Sequence, residues 1–233
     1  MVIAAPLFAR VHGIIHSPRA TFEAVARAPR WFGVVACALL LTAAASAVLL
    51  KTQVGQLALL DQWERTASAF GLRIDDIRYA AMEDASRNGA AYAVVSSLVS
   101  GPLLAVGVSA ACFVAFRAAT PVTFRQVLAV VGHAGVILAL RQVIAAPVAY
   151  ARETLASPTT MSLFFGMLNE ASLPARLFGI IDLFVLWWLL VLAIGLSVLY
   201  QRPARRVAAV LVGAYLTLAA ALTIVMALTG GTA

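Results

Sequence analysis

Two ionisable side chains stand inside otherwise charge-free apolar runs: Arg141 within Gln126 to Tyr150, and Asp182 near the start of Arg176 to Tyr200. A charge in hydrocarbon is costly, so a residue kept there is a candidate for function, and one of each sign invites pairing. At helical rise, Arg141 lies about 22 Å along its run from Gln126, and Asp182 lies about 9 Å along from Arg176, entering from the other side. The two depths agree. Consecutive antiparallel helices are natural neighbours, so the sequence predicts an Arg141 to Asp182 ion pair inside a bundle, with Gln142 as an additional polar partner. His133 precedes Arg141 by two turns and is rotated roughly 80° around the helix. It offers a proton-relay group; the simpler reading is a neutral imidazole hydrogen-bonded to a neighbouring helix.

Other reactive side chains do not assemble into a site. His12 and His16 stand at i,i+4, but His16 immediately precedes a helix-start signal at Ser17-Pro18, so a shared helical face is not expected, and two ligands alone hold a metal poorly. Asp75 and Asp76 are adjacent, which on a helix points them about 100° apart, and no third ligand accompanies them. Ser96, Ser97 and Ser100 lack a base in sequence reach. Cys37 and Cys112 read as small apolar packing residues. Phosphate-binding, nucleophile-elbow and zinc-protease patterns are missing. The expectation is no catalytic residue, no metal site and no cofactor.

The elements that must position Arg141 and Asp182 follow from hydropathy. Of 233 residues, 63% are hydrophobic and 12% charged, against about 25% charged in soluble domains. Five runs are long enough to cross about 30 Å of hydrocarbon: residues 31–50, 90–116, 126–150, 176–200 and 207–228. Strict period-two alternation is lacking, which leaves helices as the way to satisfy backbone groups in lipid. The predicted fold class is all-α: a polytopic integral membrane helix bundle with five transmembrane helices plus short interfacial helices. It comprises a cytoplasmic segment, residues 1–30, and a membrane domain, residues 31–233. A signal peptide is not expected, because Arg10, Arg19, Arg27 and Arg30 interrupt each early apolar run.

Basic residues set the orientation. One side collects Arg10, Arg19, Arg27, Arg30, Arg117, Arg125, Arg202, Arg205 and Arg206 against Glu23; the other balances Lys51, Arg65, Arg73, Arg78, Arg87, Arg152 and Arg176 against eight acids, among them Asp61, Glu83, Glu153 and Glu170. The arginine-rich side is expected to be cytoplasmic, with the N-terminus inside and the C-terminus outside. That charge suits anionic headgroups, and no basic stripe with interleaved aromatics supports nucleic-acid binding.

Segments between the spans carry their own patterns. Ser17-Pro18, followed by Phe22, Val25 and Ala26 up to Ala28-Pro29, predicts an amphipathic helix on the inner leaflet. The long outer loop, residues 51–89, shows one stripe of Leu57, Leu60, Trp63, Ala67 and Phe70, and a second of Ile74, Ile77 and Ala81. Two short helices are expected there, with Asp61–Arg65 and Glu83–Arg87 stabilising solvated faces. Ser157 to Asn169, with Met161, Phe164, Phe165 and Leu168, is expected to form an interfacial or re-entrant helix. Ala93, Ser97, Gly101, Ala105 and Ser109 recur every four residues and predict a closely packed face. Pro102 and Pro147 are expected to kink their helices.

These residues together carry a resemblance. Thr123-Phe124 through Leu128, at the entry of the third span, resembles the "T-F-x-x-x-L" helix entry of the Yip-one domain family of integral membrane proteins. Asp182, Phe184 and Trp187, followed by Gly195-Leu196, resemble that family's "D-x-F-x-x-W … G-L" stretch, and Ser17-Pro18 with Thr21-Phe22 is similar as well. The resemblance implies five spans and a cytoplasmic N-terminus. Eukaryotic members are linked to small Ypt/Rab GTPases; their "D-L-Y-G-P" signature is not found here, so GTPase binding is not carried over. The arginine bias and alanine content point to a bacterial source and its inner membrane. The expected function is a non-catalytic scaffold or accessory subunit for other membrane proteins, with lipid and partner proteins, including a second copy, as contacts. The alternative is a small-solute or proton-coupled transporter using Arg141, Asp182 and His133.

Overall fold

The computed structural model describes residues 6–116, 121–165 and 172–229. Arg117, Leu168, Asn169 and Glu170, which entered the sequence reading, lie outside the described residues. Secondary structure is helical: α1 (Leu7–His16), α2 (Pro18–Arg27), α3 (Phe32–Leu50), α4 (Gln53–Ala69), α5 (Asp76–Ser86), α6 (Gly89–Ala115), α7 (Phe124–Ala134), α8 (Val136–Ala151), α9 (Leu173–Ile180), α10 (Leu183–Tyr200) and α11 (Ala204–Thr229). Five helical stretches are long and apolar enough to cross a membrane: α3, α6, α7 with α8, α10 and α11. The most enclosed are α7–α8 and α10, at 56% and 61% buried, whereas α6 and α11 bury 11% each and present most of their apolar surface outward.

The chain falls into two units. The first comprises Met1–Thr42, Ser97–Leu140 and Phe184–Gly213. Here α1 and α2 form a hairpin closed by Gly13, where a Cβ would run into Thr21. As expected, α2 starts with Pro18 at its first position and buries Phe22 and Val25. That apolar face is covered by protein: a Cβ on Gly195 of α10 would strike both Val130 of α7 and Phe22. Gln126 Nε2 donates a hydrogen bond to the Ala26 carbonyl at 3.1 Å. The Thr123-Phe124 entry is a capping box, in which Thr123 accepts from the Gln126 N–H and the Gln126 side chain accepts from the Thr123 N–H. This explains why that helix starts where it does. The small-residue face of α6 points into protein, with Ser109 fully buried and Gly101 against Leu39.

The second unit comprises Ala43–Ser96, Arg141–Leu183 and Ala214–Ala233. In it, α4 buries Gly55, Ala58, Leu59 and Leu60, and Leu59 packs with Leu49, Leu50, Ala93, Ala146 and Ala149. Of the expected stripe, Leu60 is buried and Trp63 and Ala67 are half-buried, whereas Leu57 and Phe70 are exposed, as is Ile77 of α5. Asp75 is the N-cap of α5, accepting from the Arg78 N–H at 2.8 Å, which accounts for the Asp75-Asp76 pair without a metal. Asp61–Arg65 and Glu83–Arg87 form exposed i,i+4 pairs.

Three local expectations are corrected. His12 and His16 do share one helix, α1, with rings stacked 4.1 Å apart, because the helix continues to His16 and α2 starts anew at Pro18. Pro102 and Pro147 each lie inside a continuous helix, and the third span is divided at Gly135 into α7 and α8. Ser157 to Phe165, the described part of the Ser157–Asn169 segment, is not an α-helix but a loop leading into a single 3-10 turn, Met161–Phe164. Arg176 to Tyr200 is not one helix: the chain is extended at Ile181, and α10 starts after Asp182. The last two corrections share a cause, which lies in the polar cluster around Asp182.

Candidate functional site

Asp182 occupies the position before the first residue of α10, where an acidic side chain is favoured by the unpaired N–H groups and the positive end of the helix dipole. Carrying the helix through this residue would leave the carboxylate against lipid or apolar side chains. Breaking the helix instead lets the backbone here pair with the preceding loop. The Met161 N–H donates to the Ile181 carbonyl at 2.8 Å, and the Leu183 N–H donates to the Thr159 carbonyl at 2.9 Å. Tyr215, in the middle of α11, completes the break: its hydroxyl accepts from the Asp182 N–H at 3.0 Å and donates to the Ile180 carbonyl at 2.9 Å. Backbone groups that a continuous helix would have satisfied thus find partners elsewhere.

Arg141 and Asp182 are brought together, Nε donating to Oδ2 at 2.8 Å, with the carboxylate side chain 6% exposed and the guanidinium 28%. The same Oδ2 accepts from Thr159 Oγ1 at 2.7 Å and from Ser157 Oγ at 3.0 Å. Arg141 Nη2 in turn donates to Ser157 Oγ at 2.9 Å. The loop that carries Ser157 and Thr159 is held against both charges, so it cannot at the same time form the helix its apolar residues suggest. Arg176 closes the other end of α9, donating to the Met226 carbonyl at 2.9 Å.

The two other predicted members are elsewhere. Gln142 faces α3 and donates to Ser46 Oγ at 2.9 Å, not to the ion pair. His133, fully buried in the first unit, hydrogen-bonds through Nδ1 to the Ala129 carbonyl at 2.7 Å, and its Nε2 lies 3.4 Å from Arg10 Nη1. With Nδ1 protonated, Nε2 is the acceptor for the arginine. His133 and Arg141 share no hydrogen-bond partner among the described residues. Sequence reasoning missed Ser157, Thr159 and Tyr215. A hydroxyl in a span is inconspicuous beside a charge, but a tyrosine twelve positions into α11 must find a polar partner for its O–H, and that was the available signal. Among the described residues no three His, Cys, Asp or Glu side chains converge as metal ligands.

An all-helical chain with five helical stretches of membrane-spanning length and apolarity among the described residues defines an integral membrane protein of the polytopic α-helical class. Within that class, the model of the Yip1 domain matches residues 13–226, nearly the whole chain, and the protein belongs to that family. No curated protein and no solved structure matches it.

Proposed function

We propose that this Yip1-domain protein is a non-catalytic scaffold or accessory subunit that assembles or recruits other membrane proteins. The observation that carries this reading is how the ion pair ties the chain to itself: Asp182 Oδ2 accepts from Arg141, Ser157 and Thr159, and Arg141 Nε and Nη2 donate within the same cluster. Such a cluster fixes a loop and a helix break. A transport path calls for polar groups that converge and exchange partners at mid-depth, and His133 is engaged with Ala129 and Arg10 instead. The weakly enclosed α6 and α11 supply the lateral surface on which partner helices would pack.

Crosslinking in the native membrane, followed by co-purification in mild detergent, tests the proposal and should return a defined membrane-protein partner. The opposing reading, a solute or proton-coupled transporter working through Arg141, Asp182 and His133, makes a different forecast. Solute flux from purified protein in liposomes, lost in Asp182→Asn while the protein stays folded, would falsify the scaffold assignment.

A further inference from the structure

The ion pair is closed on one side and open on the other. A guanidinium has five N–H donors. Nε is spent on Asp182 and Thr159, and Nη2 donates once, to Ser157. Nη1 has no hydrogen-bond partner among the described residues. Asp182, 6% exposed, lies behind the guanidinium, and the arginine borders a cavity of about 530 Å³ in the second unit. That volume is within the range of small-molecule sites, roughly 300 to 1,000 Å³.

The wall of this cavity is divided by chemistry. Arg141, Gln142, Gln62 and Trp63 contribute polar groups, and among the described residues no acidic side chain lines it. Leu49, Leu59 and Ala146 contribute an aliphatic surface continuous with the core under α4. Trp63 is braced edge-on by Tyr92, with ring centroids 5.4 Å apart. Gln142 donates one amide hydrogen to Ser46 and keeps its carbonyl and second hydrogen for another partner.

We infer that this cavity binds one anionic phospholipid, its phosphate oxygens on the unspent N–H groups of Arg141 and the start of its acyl chains along Leu49, Leu59 and Ala146. A guanidinium fork matches a phosphate in geometry as well as charge. A lipid is the source that fits, because the cavity joins a cation to an apolar wall and a bilayer supplies such molecules at high local concentration. The Asp182 partner tunes the site: it holds the guanidinium in place through Nε and leaves Nη1 without a protein partner among the described residues. This inference does not depend on the scaffold reading, since a lipid can be bound with or without a protein partner.

Native mass spectrometry of the full chain, released from detergent micelles containing phosphatidylglycerol, reads the site directly. One lipid should be retained per protein. The double variant Arg141→Gln/Asp182→Asn removes both charges together, which leaves no stranded ion and keeps the fold testable by its melting temperature. It should retain the lipid about tenfold less well, the equivalent of losing one charge-assisted hydrogen bond. Trp63→Ala with Gln62→Ala, which leaves the ion pair intact, should lower retention severalfold. A separate arm adds millimolar inorganic phosphate, which should not displace the lipid. Equal retention by wild type and the folded double variant would overturn the site, and full displacement by inorganic phosphate would overturn the lipid as its ligand.

Discussion

Arg141 and Asp182 hold each other where neither would be tolerated alone. Removing one member strands the other in a low-dielectric surrounding, which typically costs about 3 to 5 kcal/mol, whereas removing both is close to neutral. Asp182→Asn and Arg141→Gln should therefore each lower the melting temperature and the yield in detergent, and the double variant should recover most of the loss. Fluorescence-detected size exclusion with thermal challenge measures this; additive losses in the double variant would show that the two side chains act separately. The pair was legible because a charge is conspicuous in an apolar run. Its hydroxyl partners were not: Ser157 and Thr159 belong to a segment whose Met161, Phe164 and Phe165 suggested an interfacial helix, and Tyr215 stands in an apolar span. Gln142 and His133 lie on the same span as Arg141 in sequence, yet each turns to a nearer partner, Ser46 and Ala129. Sequence distance along a helix says which residues share a stretch, not which neighbouring element each side chain meets.

Among the elements, the start of α2 was read from Ser17-Pro18, whereas the segment from Ser157 and the start of α10 were not. Ser17-Pro18 and Thr123 announce their helices through local chemistry, a proline with no N–H to lose and a capping side chain. The break at Ile181–Asp182 arises from contacts made far along the chain, with Thr159, Met161 and Tyr215, and both prolines lie inside continuous helices. The apolar face of α2 was visible as a periodicity, but periodicity does not distinguish a lipid surface from the groove between α7 and α10 that Gly195 keeps open. Gly195→Leu should close that groove. A side chain there meets Val130 and Phe22, and overpacking of this kind costs about 1 to 3 kcal/mol. The expected result is faster trypsin cleavage at Arg19 and Arg27 in α2, with little change at Arg73 and Arg78 beside and within α5. Unchanged cleavage at Arg19 and Arg27 would mean that α2 is held by something other than this contact.

For the whole molecule, the expectation is that an odd number of spans places the two ends of the chain in different compartments, with the arginine-rich side and the N-terminal end in the cytoplasm. Alkaline phosphatase and green fluorescent protein fusions at each end test this. The N-terminal fusion should fluoresce and the C-terminal fusion should show phosphatase activity; matching reporters at both ends would remove one span from the layout. Membrane residence, the number of spans and the positions of the charges are legible in one dimension, because lipid imposes its demand on every stretch of about twenty residues independently of the rest of the chain. The pairing of Arg141 with Asp182 was also within reach, since depth is a linear quantity along a helix. Which hydroxyls complete the pair, where α10 begins, which face of α4 is buried and where the cavity beside Arg141 opens depend on groups brought together from distant parts of the sequence. Hydrogen bonds and close packing act over a few ångströms, so those features exist only after the helices have assembled.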